Sequence, residues 1–365
     1  MQMAILPSTL ILCVTNSNNI IMQKNITKLM MLFWGLLFFN CAPKEKLEYT
    51  IAKSYALEGN GFWDYLAIDE KTDRLFVSHA NITQVLNTET GELIGTIPNT
   101  NGVHGIALNY PFNKAFISCG KDSSVQVIDL TTLEPITKIK TQGANPDAIL
   151  NDTYSNQVFV FNGGSEDATV INAETDSIIG TIALPEKPEF SVTDGKGKVF
   201  VNIEDKGLIT VINTSTLKVE NSWSLAPGEE PSGLAIDLDQ QHLFAVCSNK
   251  KMIVLNAVNG KLIQVIDIGE GSDGCGFDPK LKRAYSSNGE GTLTIIQEVE
   301  DGSYRILQTL NTQVGGRTLG LNKKTHRIYI PTAEFGPAPS PTKENPNPWP
   351  TILAGTFKVL KISPK

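Results

Sequence analysis

The chain has 365 residues, a formal net charge of −7 at pH 7 and 41% hydrophobic residues. That apolar content supports a sizeable core and excludes global disorder. The acidic balance argues against nonspecific nucleic-acid binding, which needs Lys and Arg to neutralise phosphates. Five cysteines over this length cannot form a disulfide scaffold.

Residues 1–41 contain no acid and two bases, Lys24 and Lys28. From Met22 the chain reads as a short basic region, an apolar run of eleven residues (LMMLFWGLLFF), then Asn40 and Cys41. The run is too short to span a bilayer as a helix and suits a signal-peptide core. It resembles a bacterial lipoprotein signal, which implies lipidation at Cys41. An ordinary cleaved secretory signal or an uncleaved anchor is the alternative. The expectation is a start at Met22, a signal peptide over 1–41, a charged tether over 42–48, and export to the periplasm or to an outer-membrane anchorage.

The remainder is a repeat. A short apolar run ends in Asp or Asn, a turn follows, and a second apolar run begins. The landmark falls at Asp69, Asn109, Asp152, Asp194, Asp237, Asp278 and Asn322, at spacings of 40 to 44 residues. Each copy holds short runs rich in Val, Ile, Leu, Phe and Thr, bounded by turn residues; helical periodicity is absent. Four short antiparallel strands per 40–45 residues is the signature of a propeller blade, and stacking such sheets about an axis buries faces that none could bury alone. The predicted fold is all-β, a seven-bladed β-propeller of four-stranded antiparallel blades over 49–365. The last copy ends at FKVLKI with no outer strand after it, and TIAKSYAL (Thr50 to Leu57) precedes the first copy without a partner. That N-terminal strand is expected to complete the last blade and remove an open edge.

Copies such as Gln157 to Pro188 resemble the YVTN-type repeat of YncE-like propellers. The resemblance extends over roughly 55–362. It implies the fold; related propellers include cofactor-bearing dehydrogenase subunits, lactone-cleaving enzymes and pure binding scaffolds, so it does not imply one chemistry.

Five positions before each landmark stand Asp64, His104, Asp147, Glu189, Ser232, Asp273 and Arg317, one per copy at the start of each inner strand. In a radial fold these meet at the channel mouth. Four carboxylates in one narrow space repel, which raises some pKa values unless a cation compensates. Arg317 and protonated His104 offset part of this. A divalent cation, Ca²⁺ or Mg²⁺, could offset the rest, with Asp147 and Glu189 as candidate ligands. The same groups could equally be solvated strand ends that pair among themselves. The second-to-third-strand turns add Asn162, Asn202, Glu204 and Asn288 to this face, many of them ordinary turn formers. His79, His104, His242 and His326 lack zinc-site spacing, the cysteines form no CxxC, and no nucleophile elbow, dinucleotide fingerprint or P-loop is present.

A proline-rich run, 336–350, interrupts the last blade at the turn facing the channel mouth. Proline cannot donate to a ladder, so the run is a stiff loop, either a lid that packs Trp349 on the top face or an exposed arm. The function expected is a non-enzymatic binding or scaffold module for a small polar ligand, a cation or an envelope protein, with no nucleic-acid partner and a monomeric state. The alternative is a metal-assisted lyase or hydrolase of a lactone or sugar acid, with His104 as general acid or base and Asp147 and Glu189 on the metal.

Overall fold

The computed structural model describes residues 48–343 and 348–365. Met22, Cys41 and the tether lie outside the described residues. Seven four-stranded antiparallel sheets are formed, each joining consecutive strands except the last. Blade 1 runs through Trp63–Asp69, Arg74–His79, Ile82–Asn87 and Leu93–Ile97, from inner to outer strand. The inner strands of blades 2 to 7 are Val103–Asn109, Pro146–Asp152, Pro188–Thr193, Pro231–Asp237, Ser272–Asp278 and Gly320–Asn322. Tyr49–Ala56 pairs antiparallel with Lys358–Pro364 and supplies the fourth strand of blade 7. The ring is therefore closed by the two ends of the described chain, as the unpaired run before the first copy predicts.

The landmark has a local cause. The side-chain oxygen of Asp69 accepts the N–H groups of Lys71 and Thr72. Asp237 does the same for Asp239 and Gln240, and Asp278 for Lys280 and Leu281. The other four landmarks accept at least one N–H from two to four residues on, and a short side chain bonded in this way closes the turn at the lower face of each blade. Such a turn needs Asp or Asn, so the repeat is readable there.

Packing explains the core. The third residue of every second strand is aromatic: Phe76, Phe116, Phe159, Phe200, Phe244, Tyr285 and Tyr329, each at most 1% exposed. Each such ring contributes about 1.5–3 kcal/mol by leaving water. The two tyrosines find partners for their hydroxyls, Tyr285 with the Tyr49 hydroxyl at 2.8 Å and Tyr329 with the Thr88 carbonyl at 2.9 Å. The second and third strands are almost wholly buried, while the outer strands, such as Pro135–Lys140, face water along most of their length.

In six blades the pairing register between the first and second strands breaks at the upper end of the inner strand. The breaks are Trp63/Leu66, Val103/Ile106, Pro146/Ile149, Pro188/Ser191, Pro231/Leu234 and Ser272/Gly274. A break of this kind turns a side chain out of the regular alternation. Asp64, His104, Asp147, Glu189, Ser232 and Asp273 each lie inside one.

Candidate functional site at the upper channel mouth

The seven ring residues converge. The His104 Nδ1 lies 2.7 Å from Asp64 Oδ2 and 3.6 Å from Asp147 Oδ1. Arg317 pairs with Asp273 and reaches Asp64 at 3.9 Å. Around the mouth the charges alternate: Asp273, Arg317, Asp64, His104, Asp147. Ser232 donates to the Ser272 carbonyl at 3.1 Å, which keeps it beside Asp273. One ligand atom from each of Asp64, His104 and Asp147 lies within 4.8 Å of the others.

Backbone stitches between blades hold these positions. Ser118 donates to the Asp147 carbonyl at 2.5 Å, Ser287 to the Arg317 carbonyl at 2.6 Å, and Thr318 to the Asp64 carbonyl at 2.8 Å. Arg317 precedes its inner strand, which starts only at Gly320. It is not the strand-start residue that the repeat spacing suggests; the Gly274 N–H and Ser287 of blade 6 fix its backbone instead. Gly274 has to be glycine, because a Cβ there would come within 2.6 Å of the Leu319 nitrogen.

The alternation loosens at Asp147 and Glu189, neighbours in the ring, where Lys187 reaches Glu189 at 2.8 Å from outside the ring and is shared with Glu204. Burial, then the charges of Asp64 and Asp273, push the Asp147 carboxyl up to about 6, against the pull of His104 and Lys187. Burial and the charges of Asp147 and Asp273 raise Glu189 to about 8, against the pull of Lys187. Burial also raises Asp273, against the attraction of Arg317. Burial alone would lower His104, yet its bond to Asp64 and the charges of Asp147, Asp64 and Glu189 raise it to about 9, so it is an imidazolium at neutral pH. One buried oxygen, Asp147 Oδ1, has no hydrogen-bond partner among the described residues. A buried acceptor left in that state is costly unless something fills it.

The secondary residues divide. Glu204 joins the site through Lys187, whose Nζ also lies 2.8 Å from Glu189 Oε1. Asn202 is instead a stitch, donating to the carbonyls of Ser232 and Gly233 at 2.9 and 3.2 Å. Asn162 and Asn288 brace their own hairpins, through Asp167 and Thr169 and through Thr292 and Thr294. None of these three asparagines is presented to the channel by its amide nitrogen. The ends of the proline-rich run are pinned by pairing of Phe335 with Ile352 and by the Gly336 N–H on the Thr351 carbonyl. Trp349 is 62% exposed and, with Phe335, Val314 and Arg317, borders a side cavity of about 420 Å³.

Two residues that spacing does not reveal shape the site. Lys187 stands in the loop before blade 4, outside the repeated position, and only the meeting of Glu189 with Glu204 makes it important. Tyr65 follows Asp64, where blades 2, 5 and 6 have Gly105, Gly233 and Gly274. It crosses to the far side and joins the core of blades 3 and 4, with its ring 5.1 Å from Phe190. Burial and then the charges of Glu189, Asp147, Asp273 and Asp64 keep its phenol protonated. Aromatics at this position in blades 1 and 4 alone, Tyr65 and Phe190, where the other five copies have Gly, Ala or Thr, are the signal that could have found it.

The hydrazine synthase of Kuenenia stuttgartiensis has a similar solved structure, with a TM-score of 0.65 and 15% identity, covering 75% of this chain and 95% of that one. The likeness is one of fold alone. The fold is a β-propeller. No protein-family model matches the chain, and no curated protein sequence does either.

Proposed function

We propose that the chain is an exported, lipid-anchored propeller of the YncE-like kind that acts as a binding module. Its upper mouth takes a small cation-bearing ligand or a divalent cation. The observation that carries this is the excess of acid at the mouth, where, among the described residues, Asp64, Asp147, Glu189, Glu204 and Asp273 meet only His104, Lys187 and Arg317, Asp147 and Glu189 have raised pKa values, and Asp147 Oδ1 has no hydrogen bond. Protons relieve that imbalance at neutral pH, and a bound cation would take their place. Hard carboxylate oxygens suit Ca²⁺ or Mg²⁺. His104, committed as an imidazolium to Asp64, acts in this reading as a fixed charge rather than as a ligand.

Titration calorimetry and thermal shift at pH 8 with Ca²⁺, Mg²⁺ and ethylamine test the reading. At least one should bind, release protons, and lose its effect in both Asp147→Asn and Glu189→Gln. The absence of any heat or shift from all three would remove it.

A further inference from the structure

The lower half of the channel differs in kind from the mouth. It encloses a cavity of about 510 Å³ that none of the seven ring residues borders. Cavities of roughly 300–1,000 Å³ with apolar walls and a few convergent polar groups are the usual small-molecule sites. Here the walls are Leu66, Ile68, Phe190, Ile236, Leu319 and Leu321, from blades 1, 4, 5 and 7. All six are only half-buried although they sit at the centre of the molecule. Water against such walls is released when an aliphatic chain replaces it, which favours binding. Above them Tyr65 and Phe190 lie ring to ring and separate this space from the charged mouth.

The rim decides the head group. It carries Glu70, Lys71, Tyr110 and Lys323. The Glu70 carboxylate is engaged by the Lys323 backbone N–H at 2.5 Å. Lys71 Nζ stands 3.9 Å over the Tyr110 ring, an arrangement that leaves its charge available at the opening. Two lysines, Lys71 and Lys323, thus border the opening beside one carboxylate that already has a partner. We infer that the lower channel is a second binding site, for a small amphiphile with an aliphatic body and a carboxylate head. The body fills the space between the inner strands, and the head meets Lys71 and Lys323. This site stands on residues other than those of the mouth, so either can fail alone.

Calorimetry of the purified full chain with decanoate, decanol and decyltrimethylammonium tests it. Decanoate should bind saturably at one site, with decanol and the ammonium weaker by about tenfold or more. The double variant Lys71→Glu/Lys323→Glu should lose decanoate by a similar factor and keep decanol. Ile236→Trp, which fills the cavity, should abolish decanoate binding while Ca²⁺ binding at the mouth is unchanged. If that variant does not fold, Leu321→Phe, a smaller addition to the same wall, takes its place and should weaken decanoate by about tenfold or more. Overturning results are no saturable decanoate binding, or full binding in folded Ile236→Trp or folded Leu321→Phe. Decyltrimethylammonium binding as tightly as decanoate would overturn the carboxylate head.

Discussion

The two ends of the channel are built by the same inner strands and have opposite chemistry. At the upper end six of the strands contribute one residue from within a register break, Arg317 comes from just before the seventh, and these residues are mostly charged. A few residues further along, the strands run in regular alternation and present Leu66, Ile68, Ile236, Leu319 and Leu321 to the axis. The difference teaches that a propeller separates two sites along one axis by a local backbone irregularity, with one pair of aromatics between them. Changes that blur this boundary should have the largest effects.

Tyr65→Ala removes the partition and leaves a hole in the core of blades 3 and 4, for an expected loss of about 3 kcal/mol in a urea melt. A loss under about 1 kcal/mol would mean that the two ends are not held apart by this ring. Arg317→Met strands two carboxylates, Asp273 and Asp64. The expected cost is about 2 kcal/mol at pH 7, below that of a fully buried pair because the guanidinium keeps some solvent. It should shrink as pH falls, because Asp273, whose pKa is raised by burial, accepts a proton earlier than an ordinary aspartate.

The pH profile distinguishes the ends more finely. His104, Asp147 and Glu189 all have folded pKa values above their ordinary ones, at about 9, 6 and 8. The native state thus holds more protons than the unfolded state across this range, so stability is highest in acid and falls as pH rises through these values. The melting temperature should drop between pH 6 and pH 9, and Glu189→Gln should flatten the drop by an amount on the order of 1 kcal/mol. Cation affinity at the mouth should rise over the same interval, while decanoate affinity below should not change. The smallest effect belongs to Trp349→Ala, which should shift stability by less than about 0.5 kcal/mol because the side chain is 62% exposed.

The ring residues were legible because the landmark turns mark the register of each blade and the mouth lies at a constant offset from them. Arg317 fits that count although its strand begins later, since the turn at Asn322 still sets the offset. The stitches of Ser118, Asn202 and Ser287 were not legible. Each joins one blade to the next, and a repeat read within single copies contains no term for the neighbour. For the same reason Asn202 looked like a channel group and proved to be a brace, and Lys187 escaped notice.

Sequence alone determined the blade count, the closing strand and the set of side chains that share the upper mouth. These follow from alternation, turn chemistry and period, which are properties of neighbouring residues. Tertiary structure alone decided that Lys187 joins Glu189 and Glu204 while Asp147 keeps a raised pKa, that Tyr65 crosses the axis, and that an aliphatic chamber lies below it. Those outcomes depend on distances across the ring between blades far apart in the chain, and such distances set both the electrostatics and the space that remains unfilled.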